Sequence, residues 1–386
     1  MAAGCAGDPH RARTRVPDWE NEDVASAAVA SRREPKAAPT PPATPLRQPA
    51  LIAPNQIAET WVPWDRWCKD NGLKEPLRLV PQDATGLAAF SLTTSSGIFV
   101  VSAASRTAHW DGLEFRLGFA PQLIDGQLYL HTVDLKKTIA PLLGDARASF
   151  FKTNPVIVID AGHGGESVGT KSVLANRYEK EFTLDWALRL EALLATNGWL
   201  VFMTRTNDTY LSLSNRVAFA EEHKAGLFLS LHFNSSAPKE DQEGLETYCL
   251  TPTGMPSTVT RGFADDLGLS FPNNNFDAQN LQVAFRVHRA LLKANGFHDR
   301  GVRRARFLGV LRWQQRPAIL VEGGYLSSPR EARLISNPAY RQKLAEAVAR
   351  ALCEEPGTGE GKSEGRGQRA EVGGRRSEAG STARLP

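Results

Sequence analysis

From residue 154 to residue 352, short apolar runs alternate with longer stretches in which apolar side chains recur every three or four positions. The short runs are rich in β-branched residues and predict strands at Val156–Asp160, Leu200–Thr204, Leu227–His232, Leu245–Leu250 and Ala318–Glu322. The longer recurrence predicts helices over Lys180–Thr196, Ser212–His223, Leu281–Asn295 and Pro338–Leu352. In the first helix Phe182, Trp186, Leu190, Leu193 and Leu194 share a face, and Gly198 supplies the stop. Alternating strands and helices predict an α/β fold with a mostly parallel central sheet flanked by helices on both faces.

Residues 56–148 follow a different rhythm. Leu87–Leu92, Gly97–Val101, Arg106–Trp110 and Phe115–Phe119 read as strands, with turn chemistry at Thr93–Gly97 and Trp110–Gly112. A short helix is expected at Leu135–Leu143. The pattern predicts a small β-rich domain at 56–148 ahead of the α/β domain at 154–352.

Composition matters most at the ends. Residues 1–55 are charged and then rich in Ala and Pro, which predicts a disordered, semi-extended tether. Residues 354–386 are mainly Gly, Ser, Arg and Glu and predict a disordered tail. With 386 residues and 41% hydrophobic content, the remainder suffices for two domains. The net charge of +4 is mild, and much of the basic excess lies in the flanks. Basic and aromatic residues do not interleave, so no nucleic-acid partner is expected. No run approaches the ~18 apolar residues of a membrane span, so no transmembrane segment is expected. Met1–Arg11 shows no apolar signal-peptide core. Ala3-Gly4-Cys5 looks like the end of a lipoprotein cleavage box without its apolar part; it reads as chance, with a mis-assigned start codon as the alternative. Cys5, Cys68, Cys249 and Cys353 form no metal-type pair and argue against a disulfide framework.

The candidate chemistry sits at strand ends. Val156–Ile159 runs into Asp160-Ala161-Gly162-His163-Gly164-Gly165. A second strand ends in His232, and a third ends in Glu322 before Gly323-Gly324. Parallel strands bring their C-terminal ends to one edge, so His163, His232 and Glu322 are expected to converge there. The first helix starts from that edge with Glu179 and its local competitor Glu181. Two imidazoles and a carboxylate form a ligand set for catalytic zinc, with water in the fourth position. A further carboxylate can then move the water's proton to a leaving amine. Each residue also has a bland reading. A strand-end histidine is often a hydrogen-bonded core residue, and a glutamate opening a helix often complements only the dipole. Asn234 and Glu246 are expected near the same edge, either positioning substrate or capping the sheet. Arg205 and Arg216 read as structural ion pairs, and His223, His288 and His298 as surface residues.

Asp160–Gly165, Tyr178-Glu179-Lys180, Ser230–Asn234, Gly244–Tyr248, Arg300-Gly301-Val302 with Leu311-Arg312, and Pro317–Ser327 resemble, in order and spacing, family 3 of the N-acetylmuramoyl-L-alanine amidases. The resemblance implies one zinc ion held by His163, Glu179 and His232, with Glu322 as the catalytic base; the choice of Glu179 over Glu181 rests on it. It further implies an enzyme that cleaves the muramoyl–L-alanine amide of peptidoglycan. A regulatory activator protein and a periplasmic or cell-envelope location are implied as well. The β-rich segment loosely resembles the stalk domain similar to the N-terminal domain of copper amine oxidases. Gly323 departs from the family, which commonly has a larger apolar residue there. Thr251–Asn280 is longer than minimal members need and too rich in Pro, Gly and Asn for one helix. It reads as a surface loop, with a lid or substrate rim as the alternative. Two other functions are weighed: a zinc peptidase or carboxypeptidase acting within stem peptides, which would use the same metal ligands, and a non-catalytic cell-wall binder attached through the domain at 56–148, against which the intact ligand set and Glu322 argue.

Overall fold

The computed structural model describes residues 60–80, 86–144, 154–237, 241–260 and 265–353. The segments expected as tether and tail, 1–55 and 354–386, lie outside the described residues.

The N-terminal part runs β1 (Trp61–Pro63), α1 (Trp64–Asp70), β2 (Leu77–Arg78), β3 (Ala89–Thr94), β4 (Gly97–Ser102), β5 (Thr107–Trp110), β6 (Leu113–Arg116), β7 (Gln122–Ile124) and β8 (Gln127–His131). A continuous helical stretch, α2, covers 132–143 and is π-helical over Leu135–Ile139. There follow β9 (Val156–Ala161), α3 (Glu179–Thr196), β10 (Leu200–Met203), α4 (Leu213–Glu222), β11 (Leu227–Asn234) and β12 (Leu245–Cys249). The chain continues with α5 (Asp277–Asn295), β13 (Asp299–Arg304), α6 (Gly309–Arg312), β14 (Ala318–Tyr325), α7 (Pro329–Ser336) and α8 (Pro338–Cys353). Every strand and helix expected between 154 and 352 is present within a few residues. β13, α6 and α7 are additional. β13 carries Asp299, three arginines and a glycine, so no apolar run announces it.

The fold is α/β, with a large central sheet flanked by helices. Eleven strands pair in the order β10-β9-β11-β14-β12-β13-β6-β5-β4-β3-β2, and β1, β8 and β7 form a small second sheet. β10, β9, β11 and β14 are mutually parallel. β12 runs antiparallel to β14 and parallel to β13. The β-rich strands extend the same sheet, because β6 pairs with β13 at Val302↔Phe115.

Period-two burial places successive strand residues on opposite faces. Ile157, Ile159, Leu229, Leu231, Ile319 and Val321 face α3, α5 and α8 in one cluster. Val158, Phe228, Ala318 and Leu320 face α4 and α6 in another. Phe182, Trp186, Leu190 and Leu194 of α3 are fully buried, as their spacing predicts, whereas Leu193 is half-buried. Each fully buried large apolar side chain contributes about 1.5–3 kcal/mol. The first cluster continues into the β-rich segment through Leu92, Phe99, Phe115 and Leu117, and Phe115 meets Phe285 of α5 edge-on.

Candidate active site

β9 ends at the edge where β11 and β14 also end. A buried polar knot beneath that edge shapes the loop that carries His163. The Asp160 carboxylate accepts from Arg216 Nη1 at 2.6 Å, Thr204 Oγ1 at 2.8 Å and Ser230 Oγ at 2.8 Å. Arg216 also donates to the carbonyls of Ala161 and His163, and Arg205 donates to those of Ala161 and Gly162. Three successive carbonyls are thereby held inside the protein. His163 takes the left-handed region at φ 61°, a strained conformation for a non-glycine residue. Arg216 makes the expected ion pair; Arg205 binds carbonyls instead.

The knot presents the His163 ring to Glu179, the first residue of α3. His163 Nε2 lies 3.2 Å from Glu179 Oε2, and His232 Nδ1 lies 2.9 Å from Glu179 Oε1. The two imidazoles stand edge to face, 5.0 Å between centroids. One ligand atom from each of the three residues falls within 4.8 Å of the others. His163 Nδ1 is 3.0 Å from Ser167 Oγ, a contact that orients the ring and leaves Nε2 facing the cluster. Glu179 also accepts from the backbone amides of Thr170 and Phe233. Burial opposes the charge on Glu179, but the two histidines outweigh it and hold its carboxyl well below the usual carboxylate range. Gly162 is required by close approach, because a Cβ there would sit 2.4 Å from the His232 ring.

Glu181 is elsewhere. Its Oε1 accepts from Tyr178 N at 3.0 Å and its Oε2 from Arg177 Nε at 2.8 Å, so it caps the helix start. The cluster therefore joins Glu179 with His163 and His232. Two imidazole nitrogens and an ionised carboxylate suit a zinc-type cation, whose tetrahedral ligand atoms sit roughly 3.3 Å apart.

Across the ladder, His232 pairs with Glu322 and Glu322 pairs with Glu246. Paired residues point to the same face, so these three side chains form a row over three strands. Glu246 reaches this edge because β12 is antiparallel to β14; in an all-parallel sheet its position at the strand start would lie at the opposite end. Glu246 accepts from Arg300 Nε, Asn234 Nδ2 and Tyr248 Oη, each at 2.8 Å. Arg300 also lies over the Tyr325 ring at 5.2 Å. A cavity of about 300 Å³ opens beside the row, lined by Asn234, Glu246, Tyr248, Arg300, Arg303 and Glu322 among others. Burial, with Glu246 and Glu322 nearby, raises the Tyr248 hydroxyl well above its ordinary value, so it stays a donor. Composition did not single out Tyr248 or Arg303; the signal for Tyr248 was its position two residues along β12 from Glu246, and Arg303 joins the face only by pairing with Tyr248.

Part of the segment after β12 is packed into the protein, while Asp266–Ser270 are exposed as a surface loop would be. Met255 is fully buried against Gly118 of the β-rich part, Arg306 binds the carbonyls of Pro252 and Met255, and Val259 lines the cavity. His288 is not a surface residue. It is buried, with Thr247 Oγ1 at 3.0 Å and Asp299 Oδ1 at 2.9 Å, tying α5 to β12 and β13. His298 is exposed and His223 half-buried. Gly323 has a packing reason: a Cβ would lie 2.8 Å from both Trp186 and Phe233, whose rings fill the space of a larger residue.

The profile of the N-acetylmuramoyl-L-alanine amidase family, Amidase_3, matches residues 157–354, half of the chain. The chain belongs to this family. Among curated amidase relatives, AmiC of Escherichia coli O6:H1 is 29% identical over 56% of this chain and 56% of its own length. AmiC of Neisseria meningitidis serogroup B is 31% identical over 56% of this chain and 55% of its own length. The chain thus spans little more than half the length of these relatives. A solved amidase, the catalytic domain of CwlV from Bacillus (Paenibacillus) polymyxa var. colistinus, aligns at 32% identity over 51% of this chain and 95% of that one, with a TM-score of 0.42.

One amidase-domain carboxyl is displaced in the opposite direction to Glu179. Glu331 of α7 is buried and accepts from Gly244 N at 2.8 Å and Tyr325 N at 2.7 Å, clamping the start of β12 to the end of β14. Burial pushes its carboxyl from the ordinary 4.5 up to about 7. A raised carboxyl stabilises the fold fully below about pH 4.5, and this contribution is lost as pH rises through about 7. Glu331→Gln is expected to remove that pH-dependent component. It also sets an amide N–H against a backbone N–H, costing about 1–3 kcal/mol. Urea midpoints of both proteins at pH 5 and pH 8 check this: the pH difference narrows in the variant.

Proposed function

We propose that this chain is a zinc-dependent hydrolase of the amide between the muramic acid lactyl group and L-alanine in peptidoglycan. The observation that carries this reading is the meeting of His163, Glu179 and His232, with Glu322 next in register, in a member of that amidase family. His163, Glu179 and His232 would hold one zinc ion. When bound, zinc supplies Lewis-acid polarisation and a water of lowered pKa. Glu322 accepts the proton of the attacking water and delivers it to the departing alanine nitrogen. Asn234 and Glu246, beside Glu322, position the peptide at the cavity. Arg205 and Arg216 keep the His163 loop in the geometry that this requires.

Peptidoglycan as substrate gives the protein a periplasmic or cell-envelope place of action. Among the described residues no helix is long and apolar enough to cross a membrane. The partner set is then peptidoglycan together with a regulatory activator protein.

The test combines metal analysis with product identification. Purified protein is expected to contain about one zinc per chain, and a chelator to abolish sacculus digestion until zinc is restored. Mass spectrometry is expected to find free L-alanine amino ends and peptide-free muramic acid. New ends inside the stem peptides would assign a peptidase instead. Sacculus binding with no new ends in the zinc-loaded protein would assign a binder.

A further inference from the structure

Arg303 faces the cavity with no task in the proposed mechanism. It pairs with Tyr248 across β12 and β13 and shares the face on which Tyr248, Glu246 and Glu322 stand. Its side chain is only 13% exposed. Among the described residues its buried Nε has no hydrogen-bond partner. Its Nη2 lies 3.9 Å from Glu114 Oε1, the outer limit of an ion pair, and Glu114 is shared with Arg116 at 3.7 Å. The cavity's other arginine is already engaged: Arg300 donates to Glu246 at 2.8 Å and to Gln242 at 3.2 Å. A buried guanidinium with an unmatched donor beside a reaction site is a place for an incoming acceptor. The Nε–Nη fork matches a carboxylate in bidentate fashion.

The position narrows the choice of carboxylate. Arg303 stands two strands from Glu322, about 10 Å across the sheet, on the face where Glu246 and Glu322 stand. One or two residues of extended peptide beyond the scissile amide span about 3–7 Å. This fits a carboxylate on the second residue of the stem peptide. Glu114 belongs to β6 of the β-rich segment, so that segment meets the cavity only indirectly, through its contact with Arg303.

Resting on the amidase reading, we propose that Arg303 determines specificity by binding a free carboxylate on the second residue of the stem peptide. Glu114 holds the guanidinium weakly until that carboxylate replaces it. A substrate whose second residue carries the neutral carboxamide loses the pairing.

The experiment compares two muramoyl-peptides that differ only in that group, a D-isoglutamate against a D-isoglutamine at the second position. Arg303→Gln is expected to raise KM for the acid by roughly 10–100-fold with little change in kcat, and for the amide by less than about twofold. Arg303→Lys falls between, because it keeps the charge and loses the fork. Glu114→Gln lowers KM for the acid alone. It also gives the answer if Arg303→Gln does not fold. Calorimetric titration of the full chain with the product dipeptides L-Ala-γ-D-Glu and L-Ala-D-isoglutamine needs no turnover. The acid is expected to bind the wild type at least about tenfold more tightly, and the gap to close in Arg303→Gln. Equal binding of the two dipeptides by the wild type overturns the proposal, as do equal KM changes on both substrates. Failure to cleave either muramoyl-peptide overturns the amidase reading instead, and the dipeptide titration still decides Arg303.

Discussion

Glu322→Gln is expected to lower kcat on muramoyl-peptides by roughly 10³-fold or more while zinc content stays at about one per chain. The expectation comes from register. Glu322 pairs with His232 across β14 and β11, so its side chain stands on the same face one strand away, about 4.8 Å between backbones. The neighbouring carboxylate cannot substitute for it. Both oxygens of Glu246 are occupied, by Arg300 on one side and by Asn234 and Tyr248 on the other. Glutamine preserves the volume and one acceptor oxygen of Glu322 but cannot take a proton. Steady-state rates, read beside metal analysis of the same preparation, separate loss of the base from loss of the ion. A variant within tenfold of the wild-type rate would remove Glu322 from the mechanism.

Arg216→Met carries the largest expected effect on stability, a loss of about 3–5 kcal/mol. Arg216 and Asp160 are both almost fully buried, and removing one charge leaves the other stranded. Burial opposes ionisation of Asp160, but Arg216, Ser230 and Thr204 outweigh it and hold the carboxyl below its ordinary value. Its contribution is therefore present above the ordinary carboxylate range and fades as pH falls through it, so the wild type loses this stabilisation in acid. Arg216→Met should show less of that acid dependence. Freed from Arg216, the carbonyl of His163 loses an anchor, and metal affinity should fall by about 10–100-fold. Urea unfolding from pH 3 to pH 7 and competition with a zinc chelator measure the two effects. A stability change below about 1 kcal/mol would show that the knot is dispensable.

The core strands were legible because burial on both faces demands continuous apolar runs, and β9, β11 and β14 have them. β13 was not, because it carries arginines, largely buried, that meet partners from distant segments: Glu246, Glu114 and Thr138. His288 was misread for the same reason. Helical spacing alone does not show that Thr247 and Asp299 satisfy both ring nitrogens inside the protein. Two candidates two residues apart at a helix start, Glu179 and Glu181, look equivalent in one dimension. They separate only when one points beneath the sheet edge and the other back along the cap.

Local chemistry in the sequence was enough to establish the strand-and-helix alternation, the edge at which chemistry gathers, and the residue types found there, since hydrophobic periodicity and glycine-flanked strand ends are short-range properties. The antiparallel turn of β12 that brings Glu246 to Glu322, the joining of the β-rich strands to the catalytic sheet, and the carbonyl knot around Arg205 and Arg216 were decided only by the tertiary structure. Each depends on pairing between segments far apart in the chain, where direction and register follow from the packing of the whole sheet rather than from any neighbouring residue.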